Sequence, residues 1–319
     1  MLDLPVLAPL VTTGAILRRE ALDLGLGAAE IERLHRSGAW VRIRPGAYAD
    51  RSGWDLATVE QRHLIRAKAV LRALEQPAAL AHVSAAVALG LPVWGADLSL
   101  VHVVRPARRH GSRVEAGVAH HAAQLPSEHL TLAEGVPVTS PARTVVDHSR
   151  SVPFESGVVT ADAALHRGLV LPEQLREMLF WMSDWPGARA AGRTVAFSDG
   201  LAETVGESRG RVFFHVNGLP RPELQVEIRD GWGALLARVD FLFRRQRTIG
   251  EFDGRVKYRA DTSGMPPEEV VWQEKIREDG LRSLGFEVVR FCWLDYGRPR
   301  PLVRRFNEAF ARGLARPEV

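Results

Sequence analysis

From residue 201 onward, apolar residues recur with helix and strand spacing in the order helix, three strands, long helix, strand and helix. The three successive strands are predicted at Leu224–Ile228, Leu235–Phe243 and Thr248–Asp253. A loop near Ala196–Gly200 precedes this segment. Because the segment has its own strands and its own helices to cover them, we expect residues 198–319 to form a separate domain.

The second and third of these predicted strands contain three carboxylates. Asp240 lies between apolar neighbours, and Glu251 and Asp253 are two residues apart, so they share one face of a strand. Three carboxylates on one side of a sheet repel each other unless a cation lies between them, and ligand sets made only of oxygen favour Mg²⁺ or Mn²⁺ over zinc. Lys257 follows within reach of the same place. The pattern predicts a Mg²⁺ or Mn²⁺ site.

Residues 200–314 resemble the PD-(D/E)xK nuclease superfamily, in particular its Vsr/MutH-like branch. The matching features are Glu207-Ser208-Arg209, the strand from Pro222 to Gln225, Val239-Asp240-Phe241, Glu251-Phe252-Asp253-Gly254, the helix from Gln273 to Asp279, Leu281-Arg282 and the strand from Gly285 to Arg290. The resemblance implies a restriction-endonuclease-like αβββαβ domain that hydrolyses the phosphodiester bonds of DNA with Mg²⁺ or Mn²⁺ as cofactor. The chain departs from the pattern at Asp253, where the superfamily has a lysine two residues after the glutamate.

The resemblance also implies a role for each residue of the site. The metal ligands that it implies are Asp240, Glu251, Asp253 and Glu207, the last through water. Lys257 would orient or deprotonate the attacking water or neutralise developing charge, and Gln225 would orient the nucleophile or contact a phosphate. The aspartate at position 253 leaves three alternatives. Lys257 replaces the missing lysine, or the site binds metal without cutting, or its carboxylates are only structural.

Residues 10–49 predict a helix, a turn, a second helix and a hairpin. The second helix is predicted at Ala28–Ser37 and the hairpin follows at Trp40–Tyr48. The outward-facing basic side chains of these two elements are Arg33, Arg36, Arg42 and Arg44. Two short helices and a basic hairpin are the plan of a winged helix, in which the second helix enters a DNA groove and the hairpin contacts phosphates. The alternative is a small helical cap without a DNA contact.

Residues 53–196 predict an α/β middle domain. Within it, Ser140 is predicted to cap a helix that starts at Pro141, and Arg143 and Asp147 have the i, i+4 spacing of an ion pair. Ser84 is predicted to cap a shorter helix that stops before Pro92.

The first two thirds of the chain resemble AbiEi-type antitoxins and transcriptional regulators. The resemblance lies in residues 10–49, in Ser84–Pro92 and in the run Thr139–Asp147. It implies a winged-helix DNA-binding domain in residues 1–52, followed by an α/β antitoxin-like domain in residues 53–196. It also implies repression of the protein's own operon and a cognate nucleotidyltransferase toxin as a partner.

Composition and charge exclude several other classes of protein. The single cysteine, Cys292, rules out an intrachain disulfide framework and a multi-cysteine zinc site. Apolar runs are shorter than the ~20 residues that span a bilayer, and Met1–Pro9 lacks the basic start of a signal peptide, so we expect a cytoplasmic protein with no membrane partner. The net charge of +4 permits contact with nucleic acid without predicting it. The histidines are scattered, and the neighbours His120 and His121 point to opposite faces of a strand, which disfavours a metal site.

Two functions from different classes are consistent with the sequence. The first is a DNA-binding protein whose C-terminal domain is a Mg²⁺-dependent endonuclease. The second is a type IV antitoxin-like repressor whose nuclease-like domain only binds nucleic acid or a partner. The presence of Asp240, Glu251 and Lys257 favours the enzyme, whereas Asp253 and the weak charge of the last domain favour the binding protein.

Overall fold

The computed structural model describes residues 13–254 and 267–315. The fold is mixed α+β and multidomain, and the described residues form three separate sheets. The chain divides into two compact units, Met1–Phe197 and Ser198–Val319. In the described part of the chain, no helix combines the length and the apolar character needed to cross a membrane.

The first unit begins with a small antiparallel sheet and two helices. The elements are β1 (Ile16–Leu17), α1 (Arg18–Asp23), α2 (Ala28–Arg36), β2 (Trp40–Arg44) and β3 (Ala47–Asp50). β3 lies between β1 and β2 and pairs antiparallel with both. Periodicity alone predicts a helix from Ile16, but Ile16 and Leu17 pair with β3 and the helix begins at Arg18.

A long helix joins this sheet to the rest of the unit. α3 (Arg51–Leu56) is followed by α4 (Val59–Ala73), which begins at a capping box formed by Thr58 and Gln61. Ala69 of α4 belongs to one buried cluster with residues from β1 and β3. The segments 1–52 and 53–196 therefore share apolar core and lie in the same compact unit.

The middle of the first unit is a mixed six-stranded sheet covered by helices. Its strands are β4 (Ala79–Leu80), β5 (Val101–Pro106), β6 (Gly111–Glu115), β7 (Val118–Ala123), β8 (Leu130–Ala133) and β9 (Val136–Thr139). Their order across the sheet is β6-β7-β5-β4-β9-β8, with β5 parallel to β7 and β4 parallel to β9. The helices are α5 (His82–Ala88), α6 (Pro141–Ser151), α7 (Phe154–His166), α8 (Pro172–Trp181) and α9 (Ala188–Phe197).

Two local predictions in this region have different outcomes. The ion pair predicted between Arg143 and Asp147 is confirmed, with Nε and Oδ2 2.6 Å apart and both side chains almost fully buried. The prediction that Ser84 caps a helix is wrong, because α5 begins two residues earlier, at His82. The Ser84 hydroxyl lies within hydrogen-bond distance of His63 Nε2, at 2.8 Å, and accepts from the backbone N–H of His102.

The second unit follows the predicted order of elements. They are α10 (Val205–Val216), β10 (Glu223–Arg229), β11 (Leu235–Phe243), β12 (Thr248–Asp253), α11 (Pro267–Ser283), β13 (Glu287–Cys292), α12 (Trp293–Tyr296) and α13 (Pro299–Leu314). β10, β11 and β12 are antiparallel neighbours, and β13 joins the sheet parallel to β12. α10 starts later than the pattern from Leu201 predicts, because Thr204 caps its first turn by accepting the N–H of Glu207.

An aromatic core fixes α10 against this sheet. Phe214 is 1% exposed, and its ring packs edge-on against Phe241, Phe243 and Phe306. At Gly206 an added Cβ would lie 2.0 Å from the ring of Phe252, so only glycine allows this close approach. The contact brings the first turn of α10 next to β12.

The buried histidine of α4 makes the first unit sensitive to acid. Burial is the largest of the effects that lower the pKa of His63 to about 4. The charges of Arg66 and His102 lower this pKa by less, and the charge of Asp97 raises it by less. As the pH falls, His63 is therefore protonated near pH 6.5 in the unfolded chain but only near pH 4 in the folded chain. Stability conferred by neutral His63 is present above this window and is lost as the pH falls through it.

We expect His63→Gln to make the free energy of unfolding less dependent on pH. Between pH 6.5 and 5 the wild type should lose of the order of 1–2 kcal/mol more than the variant. Urea titrations at both pH values measure this difference. Equal losses in the two proteins would show that His63 does not stay neutral in the fold.

Candidate functional site

Two predicted metal ligands lie on neighbouring strands of the second unit. Asp240 is on β11, and Glu251 is on β12, which pairs antiparallel with β11. Asp240 Oδ2 accepts the backbone N–H of Phe252 at 2.9 Å. The structure therefore brings Asp240 directly against the strand of Glu251, as the sequence predicts.

Glu251 is held on one side only. Its Oε2 accepts from Arg277 of α11 at 2.6 Å, while its Oε1 is buried and has no hydrogen-bond partner among the described residues. The side chain is 13% exposed. A buried carboxylate oxygen without a donor is costly unless a cation or a water satisfies it.

Glu207 and Gln225 are joined by a hydrogen bond, and both oxygens of Glu207 accept from protein donors. Glu207 is buried at the start of α10, and its Oε1 accepts from the hydroxyl of Thr204 at 2.8 Å. Its Oε2 accepts from the backbone of Glu203 at 3.0 Å and from Gln225 Nε2 at 2.7 Å. Gln225 has a φ of 52°, which is unusual for a residue other than glycine. A metal ion or its bound water at Glu207 would have to share the carboxylate with these three donors.

The remaining predicted residues of this site have different positions. Asp253 is half-buried at the end of β12 and is in register with Cys292 of β13. Lys257 lies outside the described residues. In the described chain, the four carboxylates do not form a group of three whose oxygens all lie within 4.8 Å of one another.

The charge around Asp240 is balanced by an arginine. Arg238 forms a bidentate ion pair with Glu203, with N–O distances of 2.6 and 2.9 Å. This pair raises the pKa of Arg238, and the carboxylates of Glu207 and Asp240 add to the rise. Arg238 thus offsets part of the negative charge of the carboxylates near Asp240.

The four arginines predicted to contact DNA differ in how free they are. Arg33 and Arg36 are exposed on α2, but each forms an ion pair along the helix, with Glu30 at 3.0 Å and with Glu32 at 3.1 Å. Those ion pairs reduce the positive charge that α2 presents.

The two hairpin arginines are separated by a break in the strand register. Arg42 is exposed, whereas Arg44 is half-buried, with Nε and Nη1 that are buried and unpartnered within the described residues. The register of β2 and β3 shifts between them, which alters the regular alternation that would give both residues one face. Burial lowers the pKa of Arg44. Arg42 is therefore the more accessible contact for a phosphate.

Three histidines from distant parts of the sequence come together in the first unit, and the sequence did not predict this. His82 starts α5, His102 is on β5 and His121 is on β7. One ring nitrogen of each lies within 4.8 Å of one ring nitrogen of the other two. His102 Nδ1 and His121 Nε2 are 3.0 Å apart. The spacing of these histidines along the sequence could not predict that they meet, because the contact depends on the parallel pairing of β5 with β7.

Comparison with known proteins gives relatives without a described activity. No family model matches the chain. The chain is similar to two proteins of Mycobacterium tuberculosis, one from strain CDC 1551 / Oshkosh and one from strain ATCC 25618 / H37Rv, both named as uncharacterized proteins. Each is 28% identical over 211 residues, which cover 65% of this chain and 73% of the relative.

Proposed function

We propose that this protein binds DNA through its first unit and hydrolyses phosphodiester bonds of DNA with its second unit, in the cytoplasm. The observation that carries the proposal is Glu251, on the strand next to Asp240, whose buried Oε1 has no hydrogen-bond partner in the part of the chain that the structure describes. The element order of the second unit and its pairing of β12 with a parallel β13 are consistent with a PD-(D/E)xK domain.

The side chains around Glu251 fit a Mg²⁺ or Mn²⁺ ion. Asp240 and Glu251 would hold it, since both are oxygen ligands and no donor to Glu251 Oε1 is found within residues 13–254 and 267–315. A bound ion would lower the pKa of water and stabilise charge on the phosphate. Arg277 holds the other oxygen of Glu251 and fixes the orientation of its carboxylate.

The rest of the site would act on the water and on the phosphate. Gln225 is held near the site by its hydrogen bond to Glu207, and its side chain would contact the phosphate or the attacking water. Lys257 would take the role of the lysine that Asp253 replaces. It would act either as a base for the attacking water or as a positive charge beside the phosphate.

The order of elements in the N-terminal part supports a winged helix. Its β1, α1, α2, β2 and β3 correspond to a strand, two helices and a hairpin, and Arg42 is exposed on the hairpin. In this proposal α2 enters a DNA groove and the hairpin contacts a phosphate. The AbiEi-type resemblance adds operon repression and a cognate toxin as a candidate partner.

A second function is favoured by a different observation. Both oxygens of Glu207 accept hydrogen bonds, and Arg277 supplies a counter-charge to Glu251, so both carboxylates have partners without metal. An antitoxin-like repressor whose second unit binds nucleic acid or a partner, without cutting, would need no more than this.

Cleavage assays with the full chain distinguish the two functions. We expect wild type to nick or cut plasmid, duplex or single-stranded DNA in Mg²⁺ or Mn²⁺, and Glu251→Gln to lose this activity. Glu227→Gln is the matched control, because Glu227 is an exposed glutamate on β10, the strand that pairs with β11. Specific DNA binding without cleavage in either metal would favour the repressor.

The salt dependence of DNA binding tests the hairpin. Each lost phosphate contact should reduce the slope of log affinity against log salt by about 0.9. We expect a decrease of about 0.9 for Arg42→Ala and at most about 1.8 for the double variant with Arg44→Ala, measured by fluorescence anisotropy on a duplex. Arg113→Ala, an exposed strand arginine outside the hairpin, should leave the slope unchanged. An unchanged slope in the double variant would contradict the proposed role of the hairpin.

A further inference from the structure

The three histidines of the first unit are arranged by the sheet and by the start of one helix. β5 and β7 are parallel, and Val104 of β5 is in register with His121 of β7. His102 lies two residues before Val104, so its side chain and that of His121 are on the same face of the sheet. His82 follows β4, the other neighbour of β5, and begins α5. We name His82, His102 and His121 the histidine cluster.

The rings of the histidine cluster are packed closely. The centroids of His82 and His121 are 4.2 Å apart and those of His102 and His121 are 5.2 Å apart, both stacked. Burial lowers the pKa of His82 to about 3 and that of His121 to about 4, and it also lowers the pKa of His102. Burial thus favours the neutral form of each ring, and the neutral imidazole is the form that binds metals.

The hydrogen bonds of His82 leave one nitrogen for a ligand. Ser151 donates its hydroxyl proton to the carbonyls of Asp147 and His148, at 3.1 and 3.0 Å. Its oxygen therefore accepts from the Nδ1–H of His82, 3.1 Å away. This fixes the tautomer in which His82 Nε2 has a free lone pair. Such an outer hydrogen bond typically orients metal-binding histidines.

From this geometry we propose that His82, His102 and His121 form a transition-metal site that takes Zn²⁺. Three neutral imidazoles are a nitrogen ligand set that suits zinc and disfavours Mg²⁺ and Ca²⁺. Tetrahedral zinc with Zn–N bonds near 2.0–2.1 Å requires nitrogens about 3.3 Å apart. The separations in the histidine cluster, 3.0 Å for one pair and at most 4.8 Å for all, bracket this distance, and the stacked rings would turn so that their lone pairs converge on the ion.

The backbone at His82 adds a further argument for this site. His82 has a φ of 50°, a backbone conformation that costs energy outside glycine and often marks functional positions. Asp147 and Arg150 both interact electrostatically with His82 and His121, and their opposite charges act against each other. The fourth position of the zinc is left for water or another small ligand. The site belongs to the first unit and does not depend on the cleavage proposed for the second.

Cobalt spectroscopy on the full-length chain tests the site. The untagged protein is stripped with chelator, supplied with excess Mg²⁺ to occupy oxygen-ligand sites, and titrated with Co²⁺. We expect the visible absorption of tetrahedral Co²⁺ to saturate near one equivalent and to disappear when Zn²⁺ is added. Absence of this absorption, together with no Zn²⁺ retained after dialysis, would overturn the proposal.

Amide variants separate metal binding from folding. His121→Gln and His102→Asn keep a polar side chain of similar shape but are poor zinc ligands, and each should weaken Co²⁺ and Zn²⁺ binding by at least about a hundredfold. His120→Gln is the matched control, because His120 is the adjacent residue of β7 on its opposite face, and its affinity should equal that of wild type. Melting curves without metal verify that all three variants fold. Wild-type affinity in a folded His121→Gln would contradict the assignment.

Discussion

Asp240→Asn is expected to lower Mg²⁺-dependent DNA cleavage by about a thousandfold or more. The charge of this carboxylate would hold the metal, and a metal ion contributes several kcal/mol to transition-state stabilisation. The amide oxygen can still accept the N–H of Phe252, so the strand contact is retained. Single-turnover cleavage rates measure the effect. Asp279→Asn, an exposed residue of α11, is the control with an unchanged rate.

The same variant has a thermal signature that separates metal binding from catalysis. Mg²⁺ that binds only the folded protein stabilises it by about 2.7 kcal/mol at a hundredfold excess over its Kd. We expect Mg²⁺ to raise the Tm of wild type and of Lys257→Ala by the amount that this stabilisation gives. The rise in Asp240→Asn should be much smaller. Lys257→Ala should nevertheless lose most of the cleavage rate, because the lysine would act on the water or the phosphate. A full Mg²⁺-dependent rise in Asp240→Asn would exclude Asp240 as a ligand.

Asp147→Ala is expected to lower the free energy of unfolding of the first unit by about 3–5 kcal/mol. Asp147 is 2% exposed and forms ion pairs of 2.6 Å with Arg143 and with Arg150. Removing it leaves Arg143, which is 1% exposed, as an uncompensated buried charge. The corresponding fall in Tm is about 10 °C for a unit of this size.

Denaturant titrations check this loss against a surface pair. Glu227→Ala removes an ion pair with Arg229 that has the same kind of contact, at 2.7 Å, but both partners are about half exposed. We expect it to cost at most about 1 kcal/mol. A loss in Asp147→Ala as small as that of Glu227→Ala would show that the buried pair does not stabilise the unit.

The strands of the second unit could be predicted from the sequence, whereas the exposed strands β6 and β8 could not. β11 and β12 have the predicted bounds because their apolar residues lie in the two cores of the second unit. β6 has five exposed residues and lies at one edge of the six-stranded sheet, so it has no apolar alternation to detect. β8, at the other edge, is also exposed at its centre.

The candidate sites show the same limit for contacts between distant residues. Spacing along a helix was enough to predict the contact of Arg143 with Asp147, and the strand pattern predicted that Asp240 and Glu251 lie on neighbouring strands. It could not predict that Arg277, on a helix 26 positions later, would occupy an oxygen of Glu251. It also could not assemble the histidine cluster, since that requires strand pairing and the start of a helix to be known.

Cleavage of an end-labelled DNA by the full chain, followed as the Mg²⁺ concentration is varied, tests the proposed nuclease most directly. We predict no cleavage in EDTA, a rate that rises with Mg²⁺ to saturation, and full recovery when Mg²⁺ is restored to an EDTA-treated sample. A protein that binds the DNA but leaves it intact at every Mg²⁺ and Mn²⁺ concentration would contradict the account of the second unit.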